Sequence, residues 1–192
     1  MNQPSIVVVS SSLAPISRSR IAAQYAGNFL KSIGCEVQTV DLSSMAVAPY
    51  PASENDPETL NAVNLFNSAH GWVLASPVYN FGMSGVLLNF LHYALDSDRE
   101  RFKPFVIIET LGGLRSALSS DHLARTMVYE VNAVQVGPAV HAVGDAGINR
   151  ATGVISPEVM HRIEKSMAAL AHYSRARASV QSNLLSHSWV AA

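Results

Sequence analysis

Five short runs of β-branched and apolar residues, separated by stretches with helical spacing, constrain this 192-residue chain more than any other feature. The runs occupy residues 5–9, 36–40, 72–75, 105–109 and 133–140. Continuous apolar runs of that length are strands buried on both faces, and strict alternation of strand with helix specifies a parallel sheet. Between the runs, Ile21, Tyr25, Phe29 and Leu30 share one face of a helix over about 17–33, which Gly34 stops. Asp56-Pro57 opens a second helix with Leu60, Val63 and Phe66 inward. Val86, Leu87, Phe90, Leu91 and Ala94 form the third, and Leu118, Leu123, Met127, Val128 and Val131 the fourth. Pro157 begins a fifth, with Val159, Ile163, Met167 and Leu170 inward. Five βα units in this length make a doubly wound, five-stranded sheet with helices on both faces, because a βα barrel needs about 250 residues.

The chain is 48% hydrophobic and 14% charged, which excludes disorder and leaves apolar surface to spare for an oligomer. One domain is expected over 1–177. A Ser- and Ala-rich tail, 178–192, is either a loose end or an arm that packs Leu184, Leu185 and Trp189 on a partner subunit. A net charge of −1 gives no pull toward nucleic acid or a membrane surface. The single Cys35 rules out an internal disulfide and a multi-cysteine metal site. No His-x-x-x-His spacing among the seven histidines points to a metal. The opening "MNQPSIVVVSSS" lacks a basic segment and its apolar run ends at Val9, so the expectation is a cytoplasmic protein without a membrane span.

In an open parallel sheet, ligands sit outside the carboxyl ends of the strands, which directs attention to residues 10–19, 76–84 and 110–116. The first loop, "SSSLAPISRSR", holds five serines and no acid before a helix. Hydroxyls, unpaired backbone N–H groups and the positive helix end make a phosphate site, with Ser17 as N-cap and Arg18 adding charge; an ordinary cap in a Ser-rich turn reads the same way. It is neither a Walker loop nor Gly-x-Gly-x-x-Gly. In the second, "SPVYNFGMSG", Tyr79 offers a flat face and Asn80 an amide, as a planar heteroaromatic ring requires; alternatively Tyr79 caps the core. The third, "ETLGGLRS", pairs two glycines after a buried strand, for a close backbone approach to a ligand or for a tight turn.

Taken together, these residues resemble the NAD(P)H-dependent FMN reductases of flavodoxin-like fold, over roughly residues 4–175. "SPVYNFGMSGVLLNFLHYAL" at 76–95 is similar to the family's Thr/Ser-Pro-Val/Glu-Tyr-Asn segment and the apolar helix behind it. Ser-Arg-Ser at 17–19 looks like its phosphate loop and "TLGG" at 110–113 its flavin-ring loop. The resemblance is greatest to reductases that supply reduced flavin to two-component sulfonate monooxygenases. It implies FMN and NAD(P)H as cofactors, with Ser11, Ser17, Arg18 and Ser19 at the phosphate. Pro77, Val78, Tyr79, Asn80 and Phe81 would border the isoalloxazine ring, and Thr110, Leu111, Gly112 and Gly113 its other edge. It further implies a homodimer or homotetramer, with helix 85–95 as a contact surface, and a flavin-dependent monooxygenase as recipient. No side-chain acid or base is required, since the chemistry is borne by the flavin. Two departures stand out: Ser10-Ser11-Ser12 replaces a common Gly-Ser, and Leu88 a common Lys. A quinone, azo-dye or chromate reductase on the same scaffold, or a flavodoxin-like electron carrier, are the alternatives. Arg18, Arg20 and Arg115 are the cations available to a 2′-phosphate.

Overall fold

A computed structural model describes residues 3–51, 56–95, 102–113 and 119–186. Its strands are β1 (Ser5–Ser10), β2 (Glu36–Asp41), β3 (Gly71–Pro77), β4 (Pro104–Leu111), β5 (Val134–Gln135) and β6 (Val140–Val143). The helices are α1 (Arg18–Ser32), α2 (Pro57–Ser68), α3 (Gly85–Ala94), α4 (Ser119–Val131), a one-turn α5 (Gly144–Gly147) and α6 (Pro157–Ser186). All strand pairs are parallel, in the order β2-β1-β3-β4-β5, and β6 pairs with β4 beyond β5. This is the expected flavodoxin-like doubly wound sheet.

Alternate residues of each strand feed two separate cores, which is why the runs look continuous in sequence. Ile6, Val8, Val73, Ala75, Val106 and Ile108 face α1 and α6. Val7, Val9, Trp72, Leu74, Phe105 and Ile107 face α2, α3 and α4. Each fully buried Val, Leu, Ile or Phe stabilises the fold by roughly 1.5–3 kcal/mol, so the central strands anchor everything attached to their ends.

The fifth run is not one strand. β5 and β6 both follow β4, but after the Val136 N–H bonds the Phe105 carbonyl, residues 137–139 leave the ladder, where Gly137 takes a φ of 101° and Pro138 has no N–H to give. Three helix phases also differ from expectation. In α1 the inward stripe is Ala22, Ala23, Ala26 and Leu30, which leaves Ile21, Tyr25 and Phe29 half-buried at its edge. In α2 the inward stripe is Thr59, Ala62 and Phe66, which turns Leu60 outward. In α4 it is Ser119, Leu123, Met127 and Val131, which turns Val128 outward, while Leu118 lies outside the described residues. The helix begun at Pro157 passes through position 177 to Ser186, because no Gly or Pro intervenes to stop it; Trp189 lies outside the described residues. Among the described residues, no helix is long and apolar enough to cross a membrane. None of their His, Cys, Asp and Glu side chains group in threes that could hold a metal.

Candidate active site

Three loops leave the carboxyl ends of β1, β3 and β4 side by side, and each is held by a different device. The first ends at Ser17, the N-cap of α1, whose hydroxyl accepts from the Arg20 N–H at 3.3 Å and bonds Ser19 Oγ at 2.9 Å. No acid stands in the first turn, so the positive helix end is uncompensated from within α1. Arg20 braces the loop from behind. Its guanidinium donates to the carbonyls of Ser12 (3.0 Å), Ala14 (3.0 Å) and Pro15 (3.1 Å), and anchors on Asp41 Oδ2 and Ser43 Oγ, both at 2.7 Å. Arg18 is also engaged, with Asp145 and with the Ile148 carbonyl. Neither arginine therefore stands free for a 2′-phosphate, and Arg115 lies outside the described residues.

The second loop is set locally. Tyr79 and Gly82 exchange two backbone hydrogen bonds of 3.0 Å around Asn80 (φ 50°) and Phe81 (φ 63°). Two successive left-handed residues make a type I′ turn, and a bulky Phe there costs on the order of 1–2 kcal/mol. Such strain held in place marks functional loops. It lifts Tyr79 and Phe81 to 54% and 61% exposure. The Val78 N–H donates to the Thr110 carbonyl at 3.0 Å, tying this loop to the third.

Beneath the loops runs a buried polar seam. Ser84, the N-cap of α3, donates to Ser11 Oγ (2.9 Å), which donates to the Ala75 carbonyl (3.1 Å). Ser76 Oγ accepts from the Ser84 N–H at 3.0 Å. Across the register, Glu109 lies between Ser76 and His141, fully buried. Its Oε2 accepts from Ser119 Oγ at 2.7 Å and lies 3.4 Å from His141 Nε2, a pair that is ionic when the imidazole carries a proton. Glu109 Oε1 is buried without a partner.

The loops enclose a cleft of about 250 Å³. Of the residues singled out from sequence, Ser17, Arg18, Pro77, Val78, Tyr79, Thr110, Leu111 and Gly112 line it. Ser11 and Ser19 lie buried behind it with their hydroxyls committed to neighbours. Asn80 and Phe81 form the tip of the adjacent turn, and Gly113 follows the lining glycine without joining it. Ser12, Ala14 and Ile16, inside the expected first loop though not among the residues singled out, also line the cleft, as does Arg150. Arg150 comes from the turn beyond β6 and α5, outside the three loops the sequence points to. A larger cavity, about 440 Å³, opens on α3 and α4 between Tyr50, Leu88, His92, His122 and Glu130, away from the strand ends. Size favours that cavity. Its described lining carries the Glu130 carboxylate and no arginine, so the donor chemistry favours the cleft for an anion.

One end of the cleft presents hydroxyls, an arginine and a helix amino terminus; the other presents flat apolar side chains and backbone. A doubly wound sheet with that two-ended site at its carboxyl edge defines a flavodoxin-like protein that takes a phosphate-bearing ring compound. The chain belongs to the NADPH-dependent FMN reductase family, whose model matches residues 4–147. It is 29% identical, over 128 residues, to an NADPH azoreductase of Bacillus sp. strain OY1-2, covering 65% of this chain and 70% of that protein. Its fold is shared with the apo crystal structure of the NADH:FMN oxidoreductase EMOB, at a TM-score of 0.75 and 18% identity over 91% of this chain and 90% of that one. It is shared too with an FMN-dependent NADH-azoreductase from Bacillus anthracis in complex with FMN, at 0.63 and 14% over 87% and 99%. The protein is thus an oxidoreductase that uses FMN and NAD(P)H.

The residues present fit FMN. The buried Ser10 Oγ at the base of the first loop has no hydrogen-bond partner among the described residues, a polar group left unmet where that loop begins. At the ring end, a Cβ placed on Gly112 would meet nothing within 4 Å, so the backbone lies open to a flat ligand.

Proposed function

We propose that the cleft is the flavin site of an NAD(P)H-dependent FMN reductase acting in the cytoplasm and delivering reduced flavin to a flavin-dependent monooxygenase. The observation that carries this reading is the pairing of an anion-binding end with a flat apolar end in one cleft at the carboxyl edge of β1, β3 and β4. Ser12, Ser17 and the first-turn amides of α1 hold the phosphate, with Arg18 at its flank. Pro77, Val78 and Tyr79 supply the flat wall, with Asn80 and Phe81 at its rim. Thr110, Leu111 and the backbone of Gly112 and Gly113 border the opposite edge, where N–H groups stabilise negative charge. Ser11 and Ser19 act from behind, through their bonds to Ala75 and Ser17. When bound, FMN supplies the two-electron acceptor for nicotinamide and passes the electrons on. The protein's part is to bind, orient and exclude water.

The unit responsible is assigned to residues 1–177 and the tail to 178–192, although α6 itself continues through that boundary to Ser186. A homodimer or homotetramer would use α3, whose Leu88 borders the larger cavity together with Leu95 at the helix cap. The azoreductase relative favours a second reading, in which the open side of the ring accepts an azo dye, a quinone or chromate. The test is anaerobic mixing of the FMN-loaded protein with NADH and NADPH in turn. Rapid loss of the flavin's visible absorbance with one nicotinamide supports a reductase and identifies its donor. Oxidised flavin persisting with both would leave an electron carrier, and no FMN binding would sink the site. Repeating the mix with an azo dye, then with free FMN in excess, separates the two acceptors.

A further inference from the structure

The anion end of the cleft has a carboxylate at its edge. Asp145, on the one-turn helix after β6, accepts from Arg18 Nη2 at 2.5 Å and Arg18 Nε at 3.2 Å, and from the Arg150 backbone N–H at 3.2 Å. Arg18 and Arg150 both line the cleft. The Arg18 Nε–H also donates to the Ile148 carbonyl at 3.0 Å. One of the two edges by which the guanidinium could take two phosphate oxygens side by side, the Nε–Nη2 edge, is therefore already occupied. Within α1 nothing opposes an anion, since its first turn has no acid. The opposing charge is brought in by the far end of the domain.

We propose that Asp145 is a built-in counter-ion of the flavin-phosphate site, which competes with phosphate for Arg18 and keeps FMN exchangeable with solution. This rests on the reading of the cleft as the FMN site. The Asp145 side chain is 64% exposed and that of Arg18 23%, so water and salt screen the pair and its effect is graded. Removing one negative charge a few ångströms from a phosphate dianion in such a setting is worth about fivefold in affinity at low ionic strength. A loosely held flavin suits a protein that hands reduced flavin to another.

Asp145→Asn tests this, because the amide oxygen still accepts from the Arg150 N–H while the charge is gone. Wild type and variant are titrated with FMN and with riboflavin, followed by quenching of flavin fluorescence at low and high salt. The expected result is FMN bound about fivefold more tightly by the variant at low salt, a difference that closes at high salt, and riboflavin bound equally by both. The gain disappears when Arg18→Ala is added. Unchanged or weaker FMN binding overturns the proposal, because Asp145 then positions Arg18 and does not compete for it. A gain shared by riboflavin overturns it too, since the cleft has merely opened. Failure of the wild type to bind either flavin overturns the cleft assignment, and this inference with it.

Discussion

The first and second loops border the same cleft but are built on opposite principles. The first has no regular turn of its own; its carbonyls at Ser12, Ala14 and Pro15 are gathered by the single guanidinium of Arg20, which is itself fixed by Asp41 and Ser43 at the end of β2. The second is closed by its own two backbone bonds, and strain at Asn80 and Phe81 is the cost of that closure. One loop is held by tertiary charge contacts and the other by local backbone geometry. The difference teaches where each is vulnerable: the first to loss of one distant side chain, the second chiefly to residues within the turn and at its two anchors, Val78 and Ser84.

Arg20→Ala should break the comparison most sharply. It strands three carbonyls and Asp41, and bonds to a charged group are worth about 1.5–3 kcal/mol each before solvent takes their place. A loss of about 2–3 kcal/mol in urea unfolding is expected. FMN affinity should fall at least tenfold, with riboflavin much less affected. Arg20→Lys should fail to rescue, since an ammonium cannot reproduce the fork. An FMN affinity left intact by Arg20→Ala would mean the loop holds itself.

Ser84→Ala removes both the α3 cap and the bond to Ser11 that links the two loops. It should cost about 1–2 kcal/mol and weaken FMN and riboflavin together, because both ends of the cleft shift. Phe81→Gly probes the second loop alone. Relief of left-handed strain and the added freedom of the unfolded chain nearly cancel, so stability should stay within about 1 kcal/mol of wild type. Phe81→Val, β-branched at positive φ, should be the less stable of the two. A large loss in Phe81→Gly would show that the ring, not the turn, holds this loop.

The smallest effect is expected far from both loops. His70 Nδ1 meets the backbone N–H of Ser5 and its hydroxyl at the amino end of the sheet, and burial, aided by Lys103 and Arg177, pushes its pKa down. The folded state then refuses a proton that the unfolded state accepts. Stability from this group is complete above the unfolded value, about 6.5, and declines as pH falls through it toward the lower folded value. His70→Gln should flatten that part of the pH–stability curve and leave FMN affinity unchanged. A cleft response to this variant would mean that the two ends of the sheet are coupled.

How much was legible in sequence follows from which contacts are local. Burial on both faces writes β1, β3 and β4 as apolar runs, and Ser17 announces its cap by position, whereas the Ser84 cap emerges only from the structure. The helical faces of α3 and α6 read correctly, since their buried residues recur at helical spacing, whereas α1 buries the small Ala22, Ala23 and Ala26 with Leu30 and leaves Ile21, Tyr25 and Phe29 half-buried beside them. Leu60 and Val128 misled because an apolar residue beside the stripe looks like part of it, while the smaller Thr59 and Ala62 take the inward places. The Gly137-Pro138 pair was visible, yet its flanking valines concealed the break. The Arg20 brace could not be read: its partners at 12, 14, 15, 41 and 43 converge only after β1 and β2 pair. Glu109 beside His141 likewise depends on the register of β4 with β6.

That break in the fifth strand carries a consequence for assembly. A sheet grows by adding a strand wherever an unbroken row of backbone donors and acceptors faces outward. Between β5 and β6 the rim has no such row, because Pro138 contributes no donor and Gly137 turns the chain. A second copy therefore finds no template on this rim for extending the sheet. The interruption works as a terminator on this side alone, so that β2, at the opposite edge, is left as the rim with an unbroken strand.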